Sequence, residues 1–429
     1  MIAEVITIGD ELLRGEIIDT NKSYLSERLL EIDVHTRYHC SVLDDPADMK
    51  DAFLRAARRA DIVLVSGGLG PTRDDITIAV LAETFGRKLV RHEPSMAALV
   101  AFFERVGREM SPSNAKQADF PEGSEVLENP IGSAPGCMLE AEGTAFFCMP
   151  GIPRELHEMM VEQVMPRVAR RAGGQARAVR SAILRTFGIG ESTLEDELRG
   201  IADDEHVQLG FRTTFPDNFL RPVAHGATVA EARERLEAAC RAIEDRLGVQ
   251  VYGRDDESME AVVGRLLAER GETLAVAESC TGGLLGERVT SVAGASAWFL
   301  GGVQAYANLA KERLLGVPAG MLATHGAVSE PVARAMAEGV RERLGTTWAL
   351  STTGISGPDG GTDEKPVGTV WIACAGPRGT EAHDFVFPFD RQRNRQVTVQ
   401  MALDWLRRTL LGVAREVPRW VHTRAAGRR

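Results

Sequence analysis

The sequence predicts an α/β protein: two large α/β domains separated by a small α+β module. Three observations carry this expectation. Short apolar runs alternate with amphipathic helical patterns from Met1 to about Arg170, the alternation breaks at the glycine-rich, basic stretch Arg170 to Arg177, and it returns from Ser258 onward. At 429 residues the chain has room for two or three domains. The boundaries read as 1–170, 171–255 and 256–415, with a basic tail at 416–429.

In the first domain, Glu4 to Ile8 reads as a strand, Asn21 to Glu31 as a helix and Val34 to Val42 as extended chain. Ala47 to Arg59 is a helix, Ile62 to Ser66 a buried strand and Asp74 to Phe85 a helix. Ser95 to Gly107 adds a helix, Thr144 to Met149 a strand, and Pro153 starts a helix that runs to Arg170. Such alternation predicts βαβ units with a mostly parallel sheet. In the middle module, Ser181 to Phe187 and Val207 to Phe215 are strand-like, and Thr193 to Arg199 and Thr228 to Leu247 are helical. Its turn Gly188-Ile-Gly190 could meet a phosphate or serve as a plain turn. The last domain places helices at Ser258 to Arg270, Glu330 to Leu344 and Arg393 to Leu411. Its strands are Leu274 to Ala277, Trp348 to Thr352, Thr369 to Ala375 and Ala382 to Phe387.

Composition narrows the class. A content of 44% hydrophobic and 26% charged residues is that of a globular protein. The net charge of −11 argues against a dominant nucleic-acid surface and leaves room for a local basic patch. The opening Met1-Ile-Ala-Glu runs directly into a strand, unlike a secretory signal, and no apolar stretch approaches membrane length, so a cytoplasmic location is expected. The six cysteines form no Cys-x-x-Cys pair, which points away from disulfides and structural zinc.

The most telling segment is Thr273-Leu-Ala-Val-Ala-Glu-Ser-Cys-Thr-Gly-Gly283, in which a serine stands where an apolar strand turns into a glycine-rich helix start. Free N–H groups at such a corner can stabilise an oxyanion. Ser279 needs a base, and no histidine lies near it in sequence. The lipase-type Gly-x-Ser-x-Gly is absent, because Ala277 and Thr281 occupy the glycine positions. Tyr306 and Lys311 follow, and a buried lysine can act as the base. The competing reading makes Ser279 a helix cap and Lys311 a surface lysine. Cys280 is a rival nucleophile, since helix starts lower thiol pKa values.

Three further constellations stand out. Val65-Ser-Gly-Gly-Leu-Gly-Pro-Thr-Arg-Asp-Asp75 follows a buried strand, and Gly67, Gly68, Gly70 and Thr72 could cradle a phosphate. Asp74 and Asp75 would repel it unless a divalent metal intervened, or they would only favour the helix start. Asp10 and Glu11 follow the first strand at the same sheet edge. His35 and His39 are spaced as on a helix but lie in extended chain, which reads as a surface pair. The polar loop Thr352 to Pro366, followed by Arg391, Arg393 and Arg395, reads as a phosphate clamp or as a solvated basic turn.

Together the runs Gly9 to Asn21, Gly67 to Asp75 and Pro150-Gly-Ile-Pro-Arg-Glu155 resemble the first domain of the competence/damage-inducible CinA family, which is similar to molybdopterin-binding proteins. The runs Ala277 to Gly283, Gly326 to Glu330, Thr353 to Pro358 and Glu364 to Val370 resemble that family's C-terminal nicotinamide-nucleotide amidase. The resemblance implies a bifunctional hydrolase of pyridine-nucleotide salvage. Its C-terminal domain would deamidate nicotinamide mononucleotide with Ser279, Tyr306 and Lys311 and no cofactor. Cys280, Thr281, Gly282, Gly283, Thr353 and Gly354 would line that substrate site, with a phosphate-binding arginine among Arg391, Arg393 and Arg395. The N-terminal domain would hydrolyse ADP-ribose with magnesium, manganese or cobalt on Asp10, Glu11, Asp44, Asp74 and Asp75. Ser356 stands where the family commonly has alanine. A homodimer is the default assembly, and no membrane or nucleic-acid partner is expected. The alternative is an interaction protein of competence or DNA repair whose first domain only binds a nucleotide or pterin.

Overall fold

The computed structural model describes residues 1–173, 178–201 and 205–414. Residues 174–177 of the expected linker and the expected basic tail from 416 on lie outside the described residues. The chain divides into two compact units. One comprises Met1–Arg180 with His225–Arg233, and the other Ser181–Ala224 with the chain from Glu234 onward.

The first unit is built on a six-stranded sheet in the order His35–Val42, Ile2–Ile8, Ile62–Ser66, Thr144–Met149, Gly136–Ala141, Glu125–Leu127. The first four strands are parallel and the last two antiparallel. Period-two alternation drives the layering, since successive side chains of a strand point to opposite faces. Ile6, Ile8, Val63, Val65 and Phe146 pack on one face with Met49, Phe53 and Leu81. Val5, Ile62, Leu64 and Phe147 pack on the other with Leu25, Leu29, Leu156 and Met159. A three-layer α/β domain results. The short strands Glu125–Leu127 and Gly136–Ala141 were not legible from the sequence pattern. The helix expected from Asp74 begins at Thr77, so Asp74 and Asp75 lie in the preceding turn and not in the helix. Pro153–Met159 and Met165–Arg171 flank a π segment at Met160–Val164, in place of one uniform helix.

In the second unit the small module is an antiparallel sheet in the order Val207–Thr214, Asp217–Gly226, Leu184–Thr186, Val251–Arg254. The strand Asp217–Gly226 was not anticipated; Pro222 within it masks its β pattern. A five-stranded sheet follows, ordered Phe299–Gln304, Leu274–Glu278, Trp348–Gly354, Thr369–Gly376, Gly379–Val386. Its first three strands are parallel and the remainder antiparallel. Leu274, Val276, Leu350 and Ile372 face the helices Met259–Arg270 and Arg391–Leu411. Ala275, Ala277, Ala349 and Ala373 face Glu330–Leu344, where small residues let the helix approach the sheet. Phe187 and Tyr252 of the small module belong to the first of these cores, so module and domain share apolar packing. No described helix is long and apolar enough to cross a membrane.

Candidate active site

Ser279 follows the central strand Leu274–Glu278 directly, and its N–H extends the ladder by donating to the Thr352 carbonyl at 2.9 Å. Gly282 and Gly283 then turn the chain into the helix Leu284–Thr290 with φ of 59° and 94°, left-handed values that disfavour any side chain. Glu278, one residue beyond the expected strand Leu274 to Ala277, ends the observed strand, is buried and organises this corner. Its carboxylate accepts from Thr281 Oγ1 at 2.7 Å, from the Gly283 and Leu285 N–H groups at 3.0 Å each and from the Gly286 N–H at 2.8 Å. An anion thereby satisfies the orphan donors at a helix start, where the macrodipole favours it.

Lys311 is only 1% exposed, and its Nζ lies 3.1 Å from Ser279 Oγ. The Ala305 and Tyr306 carbonyls accept from the same Nζ at 2.8 and 3.0 Å. A neutral amine has two N–H groups and one lone pair, so two carbonyls and one hydroxyl fill its coordination when the hydroxyl donates. Burial lowers the Lys311 pKa from its ordinary value by penalising the charged form. The surface-lysine reading is therefore incompatible with the geometry. Burial pushes the Cys280 thiol up to about 12, which makes it a poor thiolate donor.

Backbone hydrogen bonds decide which N–H groups of the corner are free for an oxyanion. Gly282 N–H donates to the Ser279 carbonyl and Gly283 N–H to Glu278, so neither is available. Among the described residues no other residue accepts from the N–H groups of Cys280 and Thr281; Cys280 lines both clefts, whereas Thr281 is fully buried and lines neither. Thr281 Oγ1 is shared between Glu278 and Thr352, and Thr353 Oγ1 donates to the Ala327 carbonyl, so both hydroxyls hold the frame. Gly354, also expected at the substrate, ends its strand against Thr369 and Val370 and lines the cleft by its backbone.

Two clefts of about 350 and 290 Å³ meet at Ser279. Gln304, Arg391 and Arg395 line the first, and Lys311, Thr353 and Asp359 the second. Tyr306 lines both, with its hydroxyl 3.3 Å from Arg391 Nη2. Arg395 donates to the Thr281 carbonyl at 2.7 Å and Arg391 to the Gly357 carbonyl at 2.8 Å. Arg393 lines neither cleft; its guanidinium sits over the Phe215 ring at 5.4 Å.

In the N-terminal domain the glycine loop is tightly packed. Gly67 and Gly68 have φ of 113° and 70°, and a Cβ on Gly67 would stand 2.2 Å from the Ile8 carbonyl oxygen. Asp75 accepts from the N–H and hydroxyl of Thr72 at 2.8 and 2.5 Å, and Gly70 packs against its carboxylate. Asp10 and Asp44 each accept the other's backbone N–H at 3.2 and 3.0 Å, and Asp10 pairs with Arg14. Burial, with Asp10, Glu11 and Asp74 nearby, raises the Asp44 pKa. Among the described residues no group of three or more His, Cys, Asp and Glu converges as a metal site. The five carboxylates thus do not by themselves form a metal centre, and Asp75 serves the loop. The cleft over Gly68, Gly70 and Lys116 holds about 70 Å³, while a neighbouring one of about 600 Å³ opens beside His92, Phe102, Arg105 and Ser133. His35 and His39 lie on one strand, His39 beside Ser26 at 2.8 Å, and form no metal site.

Fold and site together define a multidomain α/β protein with a serine–lysine pair at a strand-to-helix corner. Family models match successive segments: a probable molybdopterin binding domain at residues 4–170, the damage-inducible protein CinA KH domain at 181–253 and the CinA C-terminal domain at 256–410. A CinA-like protein of Anaeromyxobacter sp. (strain Fw109-5) is 46% identical over 410 residues, 95% of this chain and 98% of that protein. One from Gloeobacter violaceus is 44% identical over 416 residues, 95% and 96% of the two chains. The crystal structure of the competence damage-inducible protein A from Klebsiella pneumoniae is 37% identical, covers 36% of this chain and 95% of that one, and has a TM-score of 0.35. The chain belongs to the CinA family of competence/damage-inducible proteins.

Proposed function

We propose that the C-terminal domain hydrolyses the carboxamide of nicotinamide mononucleotide to nicotinate mononucleotide and ammonia. The observation that carries this reading is the buried Lys311 amine, held by two carbonyls with its third position on Ser279 Oγ. Neutral Lys311 takes the hydroxyl proton as Ser279 Oγ attacks the amide carbon. The developing oxyanion meets the Cys280 N–H group at the cleft. The protonated Lys311 then gives its proton to the leaving nitrogen, ammonia departs, and water activated by the same amine cleaves the ester. Arg391 and Arg395 supply charge for the substrate phosphate, and Tyr306 borders the path between the clefts. Ammonia release from nicotinamide mononucleotide, measured for the wild type and Ser279→Ala, tests the reading. Loss of about 10⁴-fold or more in the variant is expected, and equal release by both would sink it.

For the N-terminal domain we propose hydrolysis of ADP-ribose to AMP and ribose 5-phosphate, with the pyrophosphate over the glycine loop and the nucleoside in the 600 Å³ cleft. The carboxylates fit no metal centre of their own. A divalent cation there would be shared with substrate phosphates, as such ions commonly are. That same observation favours a second reading, in which this domain binds a nucleotide or pterin without chemistry. Product formation from ADP-ribose with and without magnesium, manganese or cobalt separates the two.

A further inference from the structure

Arg393, Gln400 and Arg407 are spaced by seven along the helix Arg391–Leu411 and so share one face. Each meets the small module. The Arg393 guanidinium lies over Phe215, Gln400 Nε2 donates to Asp217 Oδ1 at 2.6 Å, and Arg407 Nη2 donates to the Val249 carbonyl at 2.6 Å. Phe215 and Asp217 form the tip of the hairpin between Val207–Thr214 and Asp217–Gly226. The Phe215 ring also stands edge-on to Phe389 at 4.8 Å, just before the helix. From there the chain enters the cleft. Asn394 donates to the Phe389 and Ser356 carbonyls at 2.9 and 3.2 Å, and Arg391 and Arg395 flank Ser279.

We propose that the small module is a positioning element of the C-terminal cleft, in which the hairpin tip, through Phe215 and Asp217, fixes the helix start that presents Arg391 and Arg395. This rests on the amidase reading for its kinetic test, though not for its structural one. Neither Phe215 nor Asp217 lines the cleft, so both act through the helix. Aromatic edge contact and a cation over a ring face give the tip a preferred orientation. The polar anchor is charge-sensitive. Tyr252 Oη donates to Asp217 Oδ2 at 3.1 Å, Gln400 Oε1 accepts from Arg288 at 2.7 Å, Arg288 pairs with Glu260, and Arg185 stands near. Burial raises the Asp217 pKa to about 7. A carboxyl whose pKa rises on docking weakens docking as pH climbs from its ordinary value toward 7 and no further above it.

The test uses the full chain with Phe215→Ala, Phe215→Leu and Asp217→Asn. Amide hydrogen exchange at 389–396 and protection of those amides by inorganic phosphate are read beside the KM and kcat of deamidation. Phe215→Ala is expected to raise KM about three- to tenfold with kcat within about twofold, to speed exchange at 389–396 and to weaken phosphate protection. Phe215→Leu should restore part of each. Asp217→Asn should slow exchange relative to wild type by a margin that widens toward pH 7 and levels above. Absence of ammonia release from the wild type would refute the amidase reading and leave exchange and phosphate protection to decide this one. Unchanged exchange and phosphate protection in Phe215→Ala and Asp217→Asn would overturn the proposal.

Discussion

The C-terminal corner and the N-terminal glycine loop have similar sequences, glycines and small polar residues after a buried strand, yet they spend their polar groups differently. At the corner one carboxylate, Glu278, satisfies three helix N–H groups and a hydroxyl, which leaves Ser279, Lys311 and the backbone of Cys280 at a cleft. In the loop Asp75 is bound to Thr72 and Lys116 donates to the Asp75 and Thr72 carbonyls, and at the ends of the neighbouring strands Asp10 and Asp44 hold each other's backbone. Proximity of acids or hydroxyls is thus not enough; a chemical site needs neighbours that take over the structural hydrogen bonds.

The largest expected effect tests the corner's base. Lys311→Met should lower deamidation by at least about 10³-fold, and in the wild type kcat/KM should rise with pH through the lowered Lys311 pKa, because only the neutral amine accepts the proton. The same lowering means that the native state binds fewer protons than the unfolded chain below 10.5, the ordinary lysine value, so the native state gains stability as pH rises toward it. Met cannot hold the Ala305 and Tyr306 carbonyls, so the burial penalty is read from the pH dependence: the stability of the wild type relative to Lys311→Met should rise as pH climbs toward 10.5. A difference between the two that does not change with pH would contradict the burial argument.

Glu278→Gln comes next. An amide carries no charge for the helix start and accepts through one oxygen only, so a loss of about 1–3 kcal/mol of stability should accompany a tenfold or greater fall in turnover. Chemical denaturation and steady-state kinetics would show whether the two fall together; full activity would reduce Glu278 to a bystander. Among the arginines, Arg395→Ala and Arg391→Ala should raise KM by about tenfold or more, and Arg393→Ala by less than about threefold. The reverse order would move the phosphate away from the first cleft. The smallest effects belong to the glycine loop. Asp75→Asn should cost about 1 kcal/mol, whereas exposed Asp74→Asn should leave the unfolding midpoint unchanged. Any loss of ADP-ribose hydrolysis in Asp74→Asn would then report chemistry and not folding.

The sequence by itself determined the α/β class, the two buried central strands and the serine at the strand-to-helix corner, because each is written in local periodicity and in glycines that only a turn requires. Lys311 was legible as a candidate base, but its burial was not, since nothing in Ala310-Lys311-Glu312 signals an apolar setting. Tertiary structure alone decided which groups are consumed and which are free. Glu278 looks like an ordinary residue at the end of a strand pattern until the helix folds over it, Arg393 is indistinguishable from Arg391 and Arg395 until Phe215 arrives from about 180 residues away, and Asp10, Asp44 and Asp75 look like the other acids of the first domain until their hydrogen bonds are traced. Hydrogen bonding and desolvation depend on what long-range packing brings within about 3 Å, and sequence spacing carries no record of that distance.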